Sequence, residues 1–157
     1  MSCRAAKPTD RDAIETITRS IGLFEAEEVA AVMEGFDQRS GDARWWVWDE
    51  VGRGVVGVAY VEPERMADRV WNLLYIAVHP ASHRQGLGTE LLKAVRGSLS
   101  EGRQWIVETA AVPEFANVRR WYVKQGFTRV AEIPDYYADG VGKTVFVQRL
   151  QPKHEEA

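Results

Sequence analysis

The stretch Trp71–Leu99, WNLLYIAVHPASHRQGLGTELLKAVRGSL, decides the fold. Its run Leu73-Leu74-Tyr75-Ile76-Ala77-Val78 is apolar throughout and rich in β-prone side chains, which predicts a buried strand. His79-Pro80 ends that strand, because proline has no N–H to give to a ladder. A polar turn with two glycines follows, His83-Arg84-Gln85-Gly86-Leu87-Gly88. From Thr89 to Leu99, the residues Leu91, Leu92, Val95 and Leu99 fall on one face of a helix, which winds down through Gly97 and the polar segment to Gly102. The order is strand, glycine turn, helix.

That order makes an anion site. The first N–H groups of a helix have no intrahelical acceptor, glycines let a ligand lie against the backbone, and the helix dipole adds to the attraction. A phosphate or pyrophosphate is the natural guest. A P-loop is excluded because Gly88-Thr89 lacks the lysine of Gly-Lys-Ser/Thr, and a dinucleotide fingerprint is excluded because Leu91 stands where its third glycine would be. A glycine loop that merely caps a helix is the plainer alternative.

Val78, Pro80, Gln85, Gly86, Gly88 and Leu92 carry a pattern that resembles the acetyl-coenzyme A (acetyl-CoA) motif of the GNAT N-acetyltransferase superfamily: a strand ending Val-x-Pro, then Arg/Gln-x-x-Gly-x-Gly/Ala opening a helix. His83 holds the first motif position in place of Arg or Gln. The resemblance implies that His83, Arg84, Gln85, Gly86, Leu87, Gly88 and Thr89 bind acetyl-CoA as a cosubstrate, with backbone N–H groups on the pyrophosphate and no metal.

Composition sets the outer limits. A chain of 157 residues is expected to form one domain over residues 1–151, followed by a short polar tail at 152–157. Hydrophobic residues at 45% and charged residues at 27% are ordinary for a globular protein, no apolar run approaches the ~20 residues of a membrane helix, and no signal peptide is read. The single cysteine, Cys3, excludes an internal disulfide and a cysteine-only metal site. A reducing, cytoplasmic setting is expected, with Cys3 an inert strand residue. The net charge of −3, with no Lys/Arg block, argues against a nucleic-acid or membrane partner.

Taken in order, Ser2 to Ala6 predicts a strand. Thr9 and Asp12 suggest a capping box for a helix from Asp10 to about Ser20, and Val29, Val32 or Met33, and Phe36 define a second helix over 25–38. Arg44 to Trp48 and Val55 to Val61 form a hairpin. Its tryptophans Trp45, Trp46 and Trp48 read as packing rather than a base-stacking platform, because no cationic groove accompanies them. Gln104 to Ala110 is a further buried strand. Pro113 starts a helix that Gly126 terminates, and two closing strands, Arg129–Ile133 and Lys143–Leu150, are joined by a loop over 134–140. The expected order is βααβββαβαββ. This α/β pattern, a mixed sheet with helices on both faces, is similar to the GNAT fold from end to end.

Glu108 is a carboxylate inside an apolar strand, which is costly unless it is paired or lines a cleft. Val107-Glu108-Thr109 is similar to the segment of the ribosomal-protein alanine N-acetyltransferase branch in which a glutamate takes the acceptor's proton. Trp121-Tyr122-Val123-Lys124-Gln125-Gly126-Phe127 resembles the family's Leu-Tyr-x-x-x-Gly-Phe signature, in which the tyrosine protonates the leaving thiolate. The resemblance thus implies Glu108 and Tyr122 as catalytic residues of a direct transfer to a primary amine in a ternary complex, with N–H groups near Ile76 and Val78 polarising the thioester carbonyl. A carboxylate satisfied by a neighbour and a core tyrosine are the plainer alternatives. Phe115 stands where the family commonly has a cofactor-contacting asparagine, and Asn117 is the candidate replacement. Phe24, Asp135, Tyr136 and Tyr137 are the candidate acceptor residues, suited to a small amine or a peptide N-terminus. A homodimer through an edge strand such as Lys143–Leu150 is a further expectation of the resemblance. The rival function is a non-catalytic acyl-CoA-binding module, which would need neither Glu108 nor Tyr122.

Overall fold

The structure, a computed structural model, describes residues 2–151, with only the backbone of Arg84 and Gln85. The expected tail at 152–157 lies outside the described residues. Among these residues the elements run β1 (Ser2–Ala5), α1 (Arg11–Ser20), α2 (Ala26–Asp37), β2 (Arg44–Glu50), β3 (Gly54–Pro63), β4 (Val70–Val78), α3 (Leu87–Ser98), β5 (Gln104–Ala110), α4 (Ala116–Lys124), β6 (Thr128–Ala138) and β7 (Val141–Arg149). This is the expected order βααβββαβαββ. The strands form a mixed sheet ordered β1-β2-β3-β4-β5-β7-β6, in which β4 and β5 are parallel.

Two compact units divide the chain, one from the start to Glu62 and Leu74–Ser98, the other from Pro63–Leu73 and the chain after Leu99. In the first unit, Ile14 and Ile17 of α1 and Val29, Met33 and Phe36 of α2 bury their apolar faces with Trp45, Val47, Val58 and Ala77 of the strands. Alternation along β2 sends Trp46 and Trp48 to the opposite face. There a Cβ on Gly57 would stand 3.2 Å from Leu91 of α3 and 3.3 Å from Trp48 Cβ, so the missing side chain lets helix and strand approach. Trp45 stacks on Tyr60 at 4.2 Å and meets Phe36 edge-on, which accounts for it as packing.

The capping box expected from Thr9 and Asp12 does not form. Pro8–Asp10 makes a 3-10 turn first, and the Asp10 carboxylate accepts the Lys7 N–H at 2.7 Å and a fork of two bonds from Arg4, which also donates to Asp49. One guanidinium thereby ties β1, the turn and β2 together.

In the second unit, β5 pairs with β7 and β7 with β6, both antiparallel, while Val70–Leu73 of β4 pairs in parallel with Gln104–Val107. Trp105, Val107, Tyr122, Phe127 and Phe146 are buried. Three expectations are corrected. Leu74 is exposed at 46%, so the run in β4 is not buried throughout. Pro134–Ala138 is strand rather than loop: β6 extends through an irregular register between Ile133 and Ala138, with Asp135 at φ +53°. The strand read as an edge, β7, is internal, and β6 takes the outer position.

Candidate active site

The site residues fall in both units, and each unit supplies its own chemistry. In the first, His79 ends β4 and Pro80–Gln85 forms a 3-10 turn that delivers Gly86 in the left-handed region, φ +67°. That conformation favours glycine, and the Gly86 carbonyl accepts the Glu90 N–H at 3.1 Å, the first bond of α3. The i to i−4 pattern then leaves the N–H groups of Leu87, Gly88 and Thr89 without intrahelical acceptors. Nothing lies within 4 Å of the position a Gly86 Cβ would occupy, so the surface over this turn is open. The His83 ring donates from Nε2 to the Val78 carbonyl at 2.6 Å, which fastens the turn to the end of β4. His83 therefore has a structural task at the departing motif position. The side chains of Arg84 and Gln85 lie outside the described residues. Phe24 meets Tyr75 edge-on at 5.9 Å, and the Tyr75 hydroxyl donates to Thr18. Burial pushes the Tyr75 phenol up to about 12 although the bond to Thr18 opposes it.

In the second unit, the register of β5 and β7 sorts the chemistry onto two faces. Val107, Thr109 and Phe146 share one face; Ile106, Glu108, Ala110, Val145 and Lys143 share the other. Glu108 lies opposite Val145, and Lys143 is its diagonal neighbour, close enough for Nζ to reach Glu108 Oε1 at 2.8 Å. The ammonium also sits 3.9 Å above the centre of the Tyr136 ring, and Tyr136 meets Tyr137 edge-on. Burial alone would lower the Lys143 value, but Glu108 and Tyr136 outweigh it and hold the ammonium above its ordinary range. Burial raises the Tyr137 phenol. Asp135 spends one oxygen on the Gly140 N–H at 2.7 Å, closing the β6–β7 connection.

Tyr122 belongs to the other face, where it is buried against Phe127 and Phe146. Its place is set by how α4 stops. The Gly126 N–H donates to Val123 and the Phe127 N–H to Tyr122, the paired bonds of a Schellman motif, with Gly126 at φ +96° and the rings of Tyr122 and Phe127 5.5 Å apart. Burial raises the Tyr122 phenol, so it stays neutral and acts as a donor. Asn117, on the exposed side of the first turn of α4, accepts from Arg120. Glu108 is thus brought together with Lys143, Tyr136 and Tyr137, whereas Tyr122 stands across the β5–β7 ladder. Lys143 is the participant that sequence reading missed, since only the register puts a lysine beside Glu108.

A family model described as an acetyltransferase (GNAT) domain matches residues 41–129, more than half of the chain. The chain belongs to the GNAT acetyltransferase family. No curated protein matches it. Among solved structures, a protein from Desulfovibrio desulfuricans described as a GNAT-family acetyltransferase is 25% identical, with a TM-score of 0.90 over 96% of this chain and 99% of that one. The ribosomal-protein-S18-alanine N-acetyltransferase of Escherichia coli is 19% identical, with a TM-score of 0.78 over 99% and 97%. An acetyltransferase-like protein from Salmonella typhimurium, solved with acetyl-CoA, is 21% identical, with a TM-score of 0.72 over 100% and 98%. The GNAT fold explains why the open glycine turn stands at the start of α3. The turn suits a pyrophosphate: it offers backbone donors, a left-handed glycine and no side chain over its surface. Among the described residues, no cluster of three or more His, Cys, Asp or Glu side chains could hold a metal, and no helix is long and apolar enough to cross a membrane.

Proposed function

We propose that the chain is an acetyl-CoA-dependent N-acetyltransferase acting on a primary amine, a small molecule or a peptide N-terminus, in a reducing cytoplasmic setting. The observation that carries this reading is the open Gly86 turn at the start of α3. The N–H groups of Gly86, Leu87, Gly88 and Thr89 would hold the pyrophosphate, with His83, Arg84, Gln85 and Asn117 as neighbouring contacts and the Ile76 and Val78 N–H groups toward the thioester carbonyl. Bound acetyl-CoA supplies an acetyl group activated as a thioester. Glu108 takes a proton from the acceptor's ammonium, and Tyr122 donates toward the departing sulfur. Their placement on opposite faces of the β5–β7 ladder suits a direct transfer, in which base and acid do not share one position. Since burial raises the phenol further above a thiol, Tyr122 serves first as a hydrogen-bond donor. Phe24, Asp135, Tyr136 and Tyr137 flank the acceptor.

One observation favours a second reading, a module that binds acyl-CoA without chemistry: Glu108 is already engaged by Lys143. Calorimetry with acetyl-CoA and CoA separates the levels of the claim. Micromolar binding that Gly86→Trp abolishes supports the cofactor site, and no binding by the wild type overturns it. Thiol release across a panel of amines then decides between enzyme and module; Glu108→Gln is expected to lower the rate about 10²- to 10⁴-fold, in line with loss of a general base.

A further inference from the structure

Lys143 is the one buried lysine among the described residues, with 6% of its surface exposed. Lysine is almost never buried without a partner, and here the partner is Glu108. The arrangement is lopsided: the lysine side chain is 8% exposed and the glutamate 27%, so the cation stands behind the carboxylate. Tyr136 closes the cation's other side with its ring face. An ion pair of this kind is poor evidence for stability, because apolar residues of the same volume often serve as well. It does fix a direction. A glutamate swings on three torsions, whereas a working base must be held to within about 0.5 Å.

We propose that Lys143 is a positioning residue for the base: from β7 it grips Oε1 of Glu108 and leaves Oε2 to take the acceptor's proton. This rests on the reading of Glu108 as the base. Lys143 touches neither the acceptor nor the acetyl donor in this role, and the proton moves from the acceptor nitrogen to the carboxylate, with the ammonium of Lys143 unchanged. Tyr136 keeps the ammonium from swinging away when the carboxylate becomes neutral.

The test is a double-mutant cycle on thiol release, using acetyl-CoA and the best amine of the panel, with Lys143→Met, Lys143→Arg, Glu108→Gln and the double variants. Lys143→Met is expected to lower kcat about 10- to 100-fold with the KM for acetyl-CoA within about twofold, the pattern of a misplaced base. Lys143→Arg keeps the charge and should recover part of kcat. In the Glu108→Gln background Lys143→Met should cost nothing further. Wild-type kcat in Lys143→Met, or the same fold loss in both backgrounds, overturns the proposal. Should Lys143→Met not fold, judged by its unfolding transition, Lys143→Arg completes the same cycle: a loss that disappears with Glu108→Gln supports positioning, and no loss, or an equal one in both backgrounds, overturns it. The parent reading fails separately. An inactive wild type, or Glu108→Gln at the wild-type rate, removes the base itself and the proposal with it.

Discussion

Asp10 shows how much one side chain can hold. It is buried, accepts a two-bond fork from Arg4, and takes the Lys7 N–H as well. The hydrogen bond from Arg4 is the main cause that keeps its carboxyl below the usual range, against the opposing effect of burial. A depressed folded value means stability that is complete above the unfolded pKa of about 3.9 and is lost as pH falls through the folded value. Asp10→Asn should therefore cost about 1–3 kcal/mol at pH 7, and urea midpoints at pH 7, 5 and 3 should show that deficit shrinking only at the lowest pH. Tyr122→Phe probes the opposite case, a polar atom on an otherwise apolar anchor. Its ring contacts survive, so the unfolding midpoint should stay near wild type while thiol release falls about 10²-fold. Both residues were visible in the sequence, Tyr122 by its motif and Asp10 as a helix-start acid. Lys143 was not, because a diagonal cross-strand pair exists only once the register of β5 and β7 is known.

Among the elements, α4 is the clearest match between pattern and structure. Gly126 was legible as its terminator, and the left-handed conformation follows from the paired bonds that close the helix. A Cβ there would meet Gln148 Nε2 at 2.8 Å, on the side chain that also donates to the Gln125 carbonyl. Gly126→Ala should lower stability by about 1–3 kcal/mol, read as a shift in the urea midpoint at unchanged slope. β6 was harder to read. Pro134-Asp135 looks like a turn, and Asp135 does adopt a positive φ, yet the chain returns to β7 and pairs again at Ala138–Val141. Local residue chemistry identified the irregularity, and tertiary pairing decided that it lies within a strand. The same holds for β7, whose internal position is a choice of partner that no single-strand pattern encodes. At α1 the error was smaller: a 3-10 turn over Pro8–Asp10 displaced the expected cap.

At the scale of the molecule, the order of elements was fully legible because each carries its own period and its own stop signal: Pro80 after β4, Gly86 before α3 and Gly126 after α4. A ligand that binds only the folded chain adds to stability by mass action, so acetyl-CoA at 100 times its dissociation constant should contribute about 2.7 kcal/mol and raise the melting temperature. Gly86→Trp should abolish that increment, whereas Glu108→Gln should retain it; the two variants separate cofactor capture from chemistry in one calorimetric series. The ending of α4 carries a wider consequence. Tyr122 and Phe127 meet because the helix stops between them, so the string Tyr-x-x-x-Gly-Phe is a folding instruction before it is a chemical one. A descendant that abandoned catalysis would still be selected to keep those three letters, and kinship would outlive activity in the text of the gene.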